Sequence, residues 1–156
     1  MRFEIFDKTK KEKILHILDN DYGIKKLPHL FLKSGEDKIR IFSGSLAKEE
    51  INLLAANLNI EIIGSKLCTL VKEHSRLNFD IMNLPSIKHQ IKKSIFELDD
   101  NEVKLWMQGE DIRIMIPKEI EESKFIGVSH GNDFFGVARN HGFLKNYVPK
   151  ERRVKK

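Results

Sequence analysis

The spacing of apolar residues changes at Ile60, and this change limits most strongly what the chain can fold into. Before it, apolar residues recur at intervals near four, as in Ile51, Leu54 and Leu58, which predicts an amphipathic helix. After it, apolar and polar residues alternate, as in residues 77–81, which predicts strands with one buried face. Helices covering one face of an antiparallel sheet satisfy both patterns. We therefore predict an α+β fold that begins with an N-terminal antiparallel sheet and packed helices.

The first sixty residues predict two helices with a hairpin between them. The first helix is expected over residues 10–18, with Asp7 or Thr9 as its N-cap. Two short apolar runs flank the turn-forming residues 34–37, which is the pattern of a β-hairpin. Ser45 is expected to cap the second helix. Three further strands are then predicted, beginning with IEIIG at residues 60–64.

A break in the alternation divides the chain into two predicted domains. Residues 83–86 contain a proline, and the basic segment 88–93 that follows predicts a linker or a short turn of helix. We therefore predict an N-terminal domain over residues 1–90 and a second domain over residues 94–156. In the second domain, short strands around one short helix indicate a small, partly closed β-barrel. One of these strands is expected at residues 112–116.

The excess of positive over negative charge is concentrated in the last eighteen residues of the chain, 139–156. They contain seven Lys or Arg and one Glu, so the segment carries +6, while the remaining 138 residues carry −1 of the total of +5. Phe143 and Tyr147 lie among these cations. Such a cluster with interleaved aromatics is typical of surfaces that contact RNA or single-stranded nucleic acid. The alternative is a solvated, frayed tail.

Most of the predicted RNA-binding residues lie in this segment and are cationic or aromatic. They are Arg139, Lys145, Tyr147, Lys150, Arg152, Arg153, Lys155 and Lys156. Arginine can bind phosphate with two parallel hydrogen bonds, which lysine cannot. Alternation along the strand places Phe143, Lys145 and Tyr147 on one face, so Tyr147 either stacks on bases or fills the core.

Several other classes of protein and of site are not expected. The single cysteine, Cys68, excludes an internal disulfide, and the spacing of the six histidines supports no metal site, so we expect neither a metal nor a cofactor. The chain has no glycine-rich phosphate loop and no nucleophile elbow, so we expect no enzymatic activity. It also has no long apolar run and no signal-peptide core, so we expect a soluble, cytoplasmic protein without membrane contact.

The second predicted domain resembles the PUA domain, the small β-barrel named after pseudouridine synthases and archaeosine transglycosylases. Gly109, Asp111 and Ile112 match the turn that follows the helix of that family, and residues 135–138 match its glycine-containing final hairpin. The resemblance implies RNA binding by this domain. It also implies that the turn after the short helix is a second RNA contact, where this chain offers Gln108.

The whole chain is similar to the Nip-seven family, in which a pre-PUA domain precedes a PUA domain. The similarity lies in residues 53–57, 64–79 and 105–109. It implies a monomeric, non-catalytic factor in large-subunit pre-rRNA processing. Its partners would be pre-rRNA or U- or A-rich single strands, together with other ribosome assembly proteins bound through the N-terminal domain. Two alternatives stay open: an accessory PUA module that presents tRNA or rRNA to a modification enzyme, and a protein-interaction adaptor.

Overall fold

A computed structural model of the protein describes residues 3–155, and its strands form two sheets. The first sheet has five antiparallel strands in chain order: β1 (Phe3–Ile5), β2 (Leu30–Ser34), β3 (Lys38–Phe42), β4 (Ser65–Val71) and β5 (His74–Leu77). The second has four strands in chain order: β6 (Ile95–Glu97), β7 (Phe125–His130), β8 (Asp133–Asn140) and β9 (Leu144–Asn146). The helices are α1 (Lys8–Tyr22), α2 (Lys48–Asn57), α3 (Pro85–Lys88) and α4 (Asp100–Met107), and 3-10 turns lie at Phe79–Ile81 and Lys150–Arg152. The predicted α+β class is confirmed.

The helices begin and end largely where local chemistry predicts. Asp7 caps α1 by accepting a hydrogen bond from the Lys10 backbone N–H (2.8 Å), and Gly23 ends the helix with a φ of 88°. The cap of α2 differs from the prediction, because Ala47 and not Ser45 occupies that position. There the Glu50 carboxylate accepts a hydrogen bond from the Ala47 N–H (2.6 Å), so a glutamate in the first turn stabilises the helix start.

The first domain differs from the sequence prediction in three places. The strand predicted from the alternation at residues 77–81 is wrong beyond Leu77, because β5 ends there and Phe79–Ile81 form a 3-10 turn. The segment predicted as a strand at residues 60–64 is irregular. The Arg40 guanidinium donates hydrogen bonds to the carbonyls of Ile63 and Gly64, so these carbonyls do not pair with a neighbouring strand. The short strand β1 was not predicted, and it joins the sheet by pairing with β2. The hairpin of β2 and β3 is confirmed.

The second sheet is mixed, and no closed barrel is detected in residues 3–155. β6 pairs in parallel with β7, whereas β7, β8 and β9 pair antiparallel. The strand expected at 112–116 is reduced to one bridge between Ile112 and Leu144. The next ladder position, Gly142, instead donates its N–H to Asn140 Oδ1 within the turn before β9 (2.9 Å). The ladder therefore stops after one pair.

One apolar core extends from the first sheet to the second. Tyr22 of α1, Met82 after β5, and Phe125 and Val137 of the second sheet are buried in the same cluster. Asn83 joins the sheets further, since its side chain donates to the Phe134 carbonyl (2.8 Å) and accepts from the Phe134 N–H (2.9 Å). The two sheets suggest two domains, and the division at 1–90 and 94–156 stays a prediction.

The segment predicted as a linker or a short turn of helix, residues 88–93, starts at the end of α3 and packs against the first domain. Ile87 and Ile91 are buried in the shared core, and the Lys92 N–H donates to the Tyr22 carbonyl (2.8 Å). The Gln90 side chain accepts from the backbone N–H groups of Lys25 and Lys26 (2.9 and 3.1 Å). These contacts hold the chain in place where it passes from one sheet to the other.

A buried carboxylate connects α1 to β5. Asp21 is only 3 % exposed, and it accepts hydrogen bonds from the Ser75 N–H (2.6 Å) and the Ser75 hydroxyl (2.8 Å). It also contacts His74 Nδ1 (3.0 Å), and the neighbouring Tyr22 hydroxyl donates to the Ser75 carbonyl (2.6 Å). Removing a buried carboxylate that accepts several hydrogen bonds is strongly destabilising, because the donors are then left without partners.

We expect Asp21→Ala to lower the free energy of unfolding by about 3 kcal/mol, because the Ser75 donors would stay buried without an acceptor. Urea denaturation followed by circular dichroism measures this change. Glu12→Ala is the matched control, since Glu12 lies on the same helix but is 62 % exposed, in a 3.9 Å ion pair with Lys8. That control should cost less than about 0.5 kcal/mol. Equal losses in both variants would contradict the role of Asp21.

Candidate nucleic-acid interface

Two arginines and two aromatic rings form a continuous row across the junction of the sheets. The Arg139 guanidinium lies over the Phe125 ring, 5.6 Å from its centroid. The Phe125 and Tyr147 rings meet nearly perpendicularly, with centroids 5.8 Å apart. The Arg76 guanidinium lies over the Tyr147 ring, 5.3 Å from its centroid. This cation–aromatic row brings β5 of the first sheet together with β7, β8 and the chain after β9.

Lys145 lies on the same face of the second sheet as this row. It is directly opposite Arg139 in the pairing of β8 with β9, and Arg139 is directly opposite Phe125 in the pairing of β7 with β8. Residues directly opposite in a sheet share a face. Lys145 is exposed, and neither Lys145 nor Arg139 has a carboxylate within 4 Å among residues 3–155. Arg139 Nε donates to the Ser123 carbonyl (3.2 Å), but in this range neither charge has an acidic partner that a phosphate would have to displace.

Tyr147 is half-buried and packs against the shared core. The Arg76 guanidinium covers the Tyr147 ring, and the Phe125 ring meets it perpendicularly. Tyr147 therefore holds Arg76 in place, in addition to any contact with a base. Phe143, the other aromatic of the segment, has the Arg113 guanidinium 5.2 Å from its centroid.

The basic tail is ordered by specific contacts and is not frayed up to Val154. The Val154 N–H donates to the Met107 carbonyl at the end of α4 (2.8 Å), and Arg153 Nε donates to the Val148 carbonyl (3.0 Å). Arg152 forms an ion pair with Asp80 in the 3-10 turn after β5 (2.8 Å). Arg153 is half-buried, so its guanidinium serves structure as well as charge.

The remaining predicted residues lie in the tail and at the turn after α4. Lys150 and Lys155 are exposed, and Lys156 lies outside the described residues. Gln108 is half-buried directly after α4, next to Gly109, against which Arg153 packs. Of the predicted set, Arg139 and Lys145 thus share a sheet face, and Gln108 and Arg153 lie at the turn after α4.

The turn after α4 is held by Asn146 of β9. The Asn146 side chain donates to the carbonyls of Trp106 (2.7 Å) and Glu110 (3.0 Å), and its N–H donates to Asp111 Oδ1 (2.7 Å). Asp111 thus buttresses the turn. The Trp106 ring is fully buried in a second apolar cluster, which includes Val128 and Ala138 of the second sheet. Its indole N–H donates to the Phe135 carbonyl (2.7 Å).

Sequence reasoning missed the cations that the first sheet contributes. Arg76 lies opposite Thr69 in the pairing of β5 with β4, and Lys38 lies opposite Thr69 in the pairing of β3 with β4. Lys66 and Arg40 face the same side. The sequence signal was the alternation of these polar residues with buried ones, but a polar strand face alone does not indicate what it meets.

Residues 93–154 match the family model described as the PUA domain of the methyltransferase RsmF. Residues 93–154 are a PUA domain. No match specific to the Nip-seven family accompanies it, and no curated protein matches the chain at a significant level. The predicted PUA domain is thereby confirmed, and PUA domains typically bind RNA. This PUA domain contains β6 to β9, α4 and the ordered tail, and thus Gln108, Arg139 and Lys145.

The described residues give little support for other kinds of functional site. Among residues 3–155, no group of three or more His, Cys, Asp or Glu side chains is arranged to hold a metal ion. Burial raises the pKa of the Cys68 thiol to about 12, so this cysteine is an unreactive core residue. None of the helices in this range has the length and apolar character that a membrane crossing requires.

We expect Gly109→Ala to destabilise the PUA domain more than Gly142→Ala does. Both glycines have a positive φ, 92° and 78°, so each substitution carries a backbone cost of about 1 to 2 kcal/mol. Only at Gly109 would the new Cβ also lie 2.7 Å from an Arg153 guanidinium nitrogen, which would displace that side chain from Val148. Thermal unfolding of both variants measures the difference. Equal melting temperatures would show that Arg153 does not pack on this turn.

Proposed function

We propose that the protein is a non-catalytic RNA-binding factor that binds the sugar–phosphate backbone across the face of its PUA domain. The observation that carries this proposal is the cation–aromatic row with the unpaired Lys145 beside it. Cations without acidic partners gain most from phosphate, because binding releases the counterions of the RNA. The match to a PUA domain supports RNA as the polynucleotide.

We further propose that this factor acts in the biogenesis of the large ribosomal subunit, as a cytoplasmic monomer that binds pre-rRNA or U- or A-rich single strands. The support is the similarity to the Nip-seven family in residues 53–57, 64–79 and 105–109. In this role the first sheet would contact other assembly proteins. Absence of catalysis rests on the sequence motifs that the chain lacks.

A second candidate function is favoured by the type of PUA domain. The matching family model is named for a methyltransferase, so the chain would be an accessory module that presents RNA to a modification enzyme. Such a module should prefer structured tRNA or rRNA over unstructured strands. A comparison of affinities for a folded tRNA, an oligouridine and an oligoadenine separates the two functions.

We expect the double variant Arg139→Ala/Lys145→Ala to bind RNA about tenfold more weakly at low salt, since it removes two charge-assisted interactions with phosphate. Fluorescence anisotropy with a labelled ten-nucleotide oligouridine measures this affinity. The slope of log affinity against log salt should become shallower by about 0.7 for each phosphate that the variant no longer neutralises.

The matched control is Lys8→Ala/Lys13→Ala, which removes the same charge from exposed positions of α1. Its affinity should stay within about twofold of the parent protein, because its charges lie outside the interface. An equal loss of RNA affinity in both double variants would show that binding depends on net charge alone and not on this interface. RNA binding that is absent, or insensitive to salt, would instead favour the protein-interaction adaptor.

A further inference from the structure

A cleft of about 260 Å³ opens where the first sheet meets the tail of the PUA domain. Lys66, Thr69 and Arg76 line it from the first sheet, and Tyr147 and Pro149 line it from the tail. Its volume lies below the range of about 300–1,000 Å³ that is typical of sites for drug-sized ligands. The cleft is therefore suited to a small group and not to a whole cofactor.

The two cations of the cleft have no acidic partner. Lys66 and Arg76 are half-buried, and neither has a carboxylate within 4 Å in the described range. Burial is the main cause that lowers the pKa of Lys66, and the charges of Arg76 and Lys38 lower it further. Asp37 acts in the opposite direction without reversing the shift. An anion placed between these cations would relieve their mutual repulsion.

A buried hydroxyl without a partner belongs to Thr69, one of the residues that line the cleft. Thr69 is 6 % exposed, and its Oγ1 has no hydrogen-bond partner among residues 3–155. Buried polar groups are nearly always hydrogen-bonded, because an unmade bond costs free energy. An unsatisfied donor beside two unpaired cations indicates a ligand with acceptor oxygens.

Arg76 is held ready for such a ligand from two sides. The Tyr147 ring lies against its guanidinium, and its position opposite Thr69 on the sheet fixes the backbone. An ordered guanidinium loses less conformational entropy when it binds a phosphate. The arrangement depends on the PUA domain, because Tyr147 belongs to it.

We propose that this cleft binds one phosphate group of an RNA strand, with Lys66 and Arg76 as the cationic contacts and the Thr69 hydroxyl as a hydrogen-bond donor. This inference rests on the RNA-binding function proposed above, and it extends the interface from the PUA domain onto the first sheet. The strand would run from Lys145 and Arg139 along the cation–aromatic row to Arg76.

The first test is Lys66→Ala/Arg76→Ala, compared with the control Lys8→Ala/Lys13→Ala, in the anisotropy assay with ten-nucleotide oligouridine. We expect about a tenfold loss of affinity and a salt slope shallower by about 0.7, the value for one phosphate contact on a single strand. RNA binding that equals the control would overturn the cleft proposal while leaving the proposed function standing, whereas no RNA binding by the parent protein would overturn both.

The second test is Thr69→Val, which keeps the shape of the side chain and removes the hydroxyl. If the hydroxyl serves a ligand, RNA affinity falls by about threefold to tenfold while the melting temperature stays equal or rises, because a buried unpaired group is removed. A lower melting temperature with unchanged RNA affinity would show a structural role and overturn this assignment.

A titration with inorganic phosphate distinguishes an RNA phosphate from a free one. Amide chemical shifts of Thr69 and Arg76 should move with oligouridine at micromolar concentration. We expect inorganic phosphate to move them only at millimolar concentration, because a lone anion lacks the neighbouring contacts of the strand. If inorganic phosphate bound tightly and RNA did not displace it, the proposal would be overturned.

Discussion

The arrangement of charges described above depends on one packing interaction, the burial of second-sheet side chains in the core of the first domain. Phe125 and Val137 are buried beside Tyr22 and Met82. Each large apolar side chain buried in this way contributes about 1.5 to 3 kcal/mol. This contact places Tyr147 next to Arg76, so the position of the interface follows from apolar burial and not from attraction between charges. Cations on two sheets would otherwise repel one another.

Local chemistry explains which elements could be predicted from the sequence. The cap at Asp7 and the hairpin of β2 and β3 involve residues close together in the chain, and both are confirmed. The errors at Ser45 and at residues 112–116 have a different origin. In both places a nearby side chain, Glu50 or Asn140, takes the hydrogen bond that the prediction gave to another group. Such competition is not visible in a hydrophobic pattern.

The candidate site was predicted only in part, because half of it comes from the other sheet. The tail is basic in the sequence, and Arg139 and Lys145 do share a face. Charge counting treats Arg152 and Arg153 as equivalent to them, yet Arg152 pairs with Asp80 and Arg153 supports the turn at Gly109. Lys66 and Arg76 precede Tyr147 by 81 and 71 residues, and only long-range packing brings them to it.

The double hydrogen bond between Asn83 and Phe134 has a mechanical consequence. Any hinge motion that separates the two sheets would break both bonds and expose the shared core to water. The spacing between the cations of the two sheets is therefore set before any ligand arrives. A polynucleotide that engages both must adapt its own backbone torsions to that spacing, so the entropy lost on association falls on the flexible strand. This arrangement therefore selects ligands by the flexibility of their backbone, in addition to their charge.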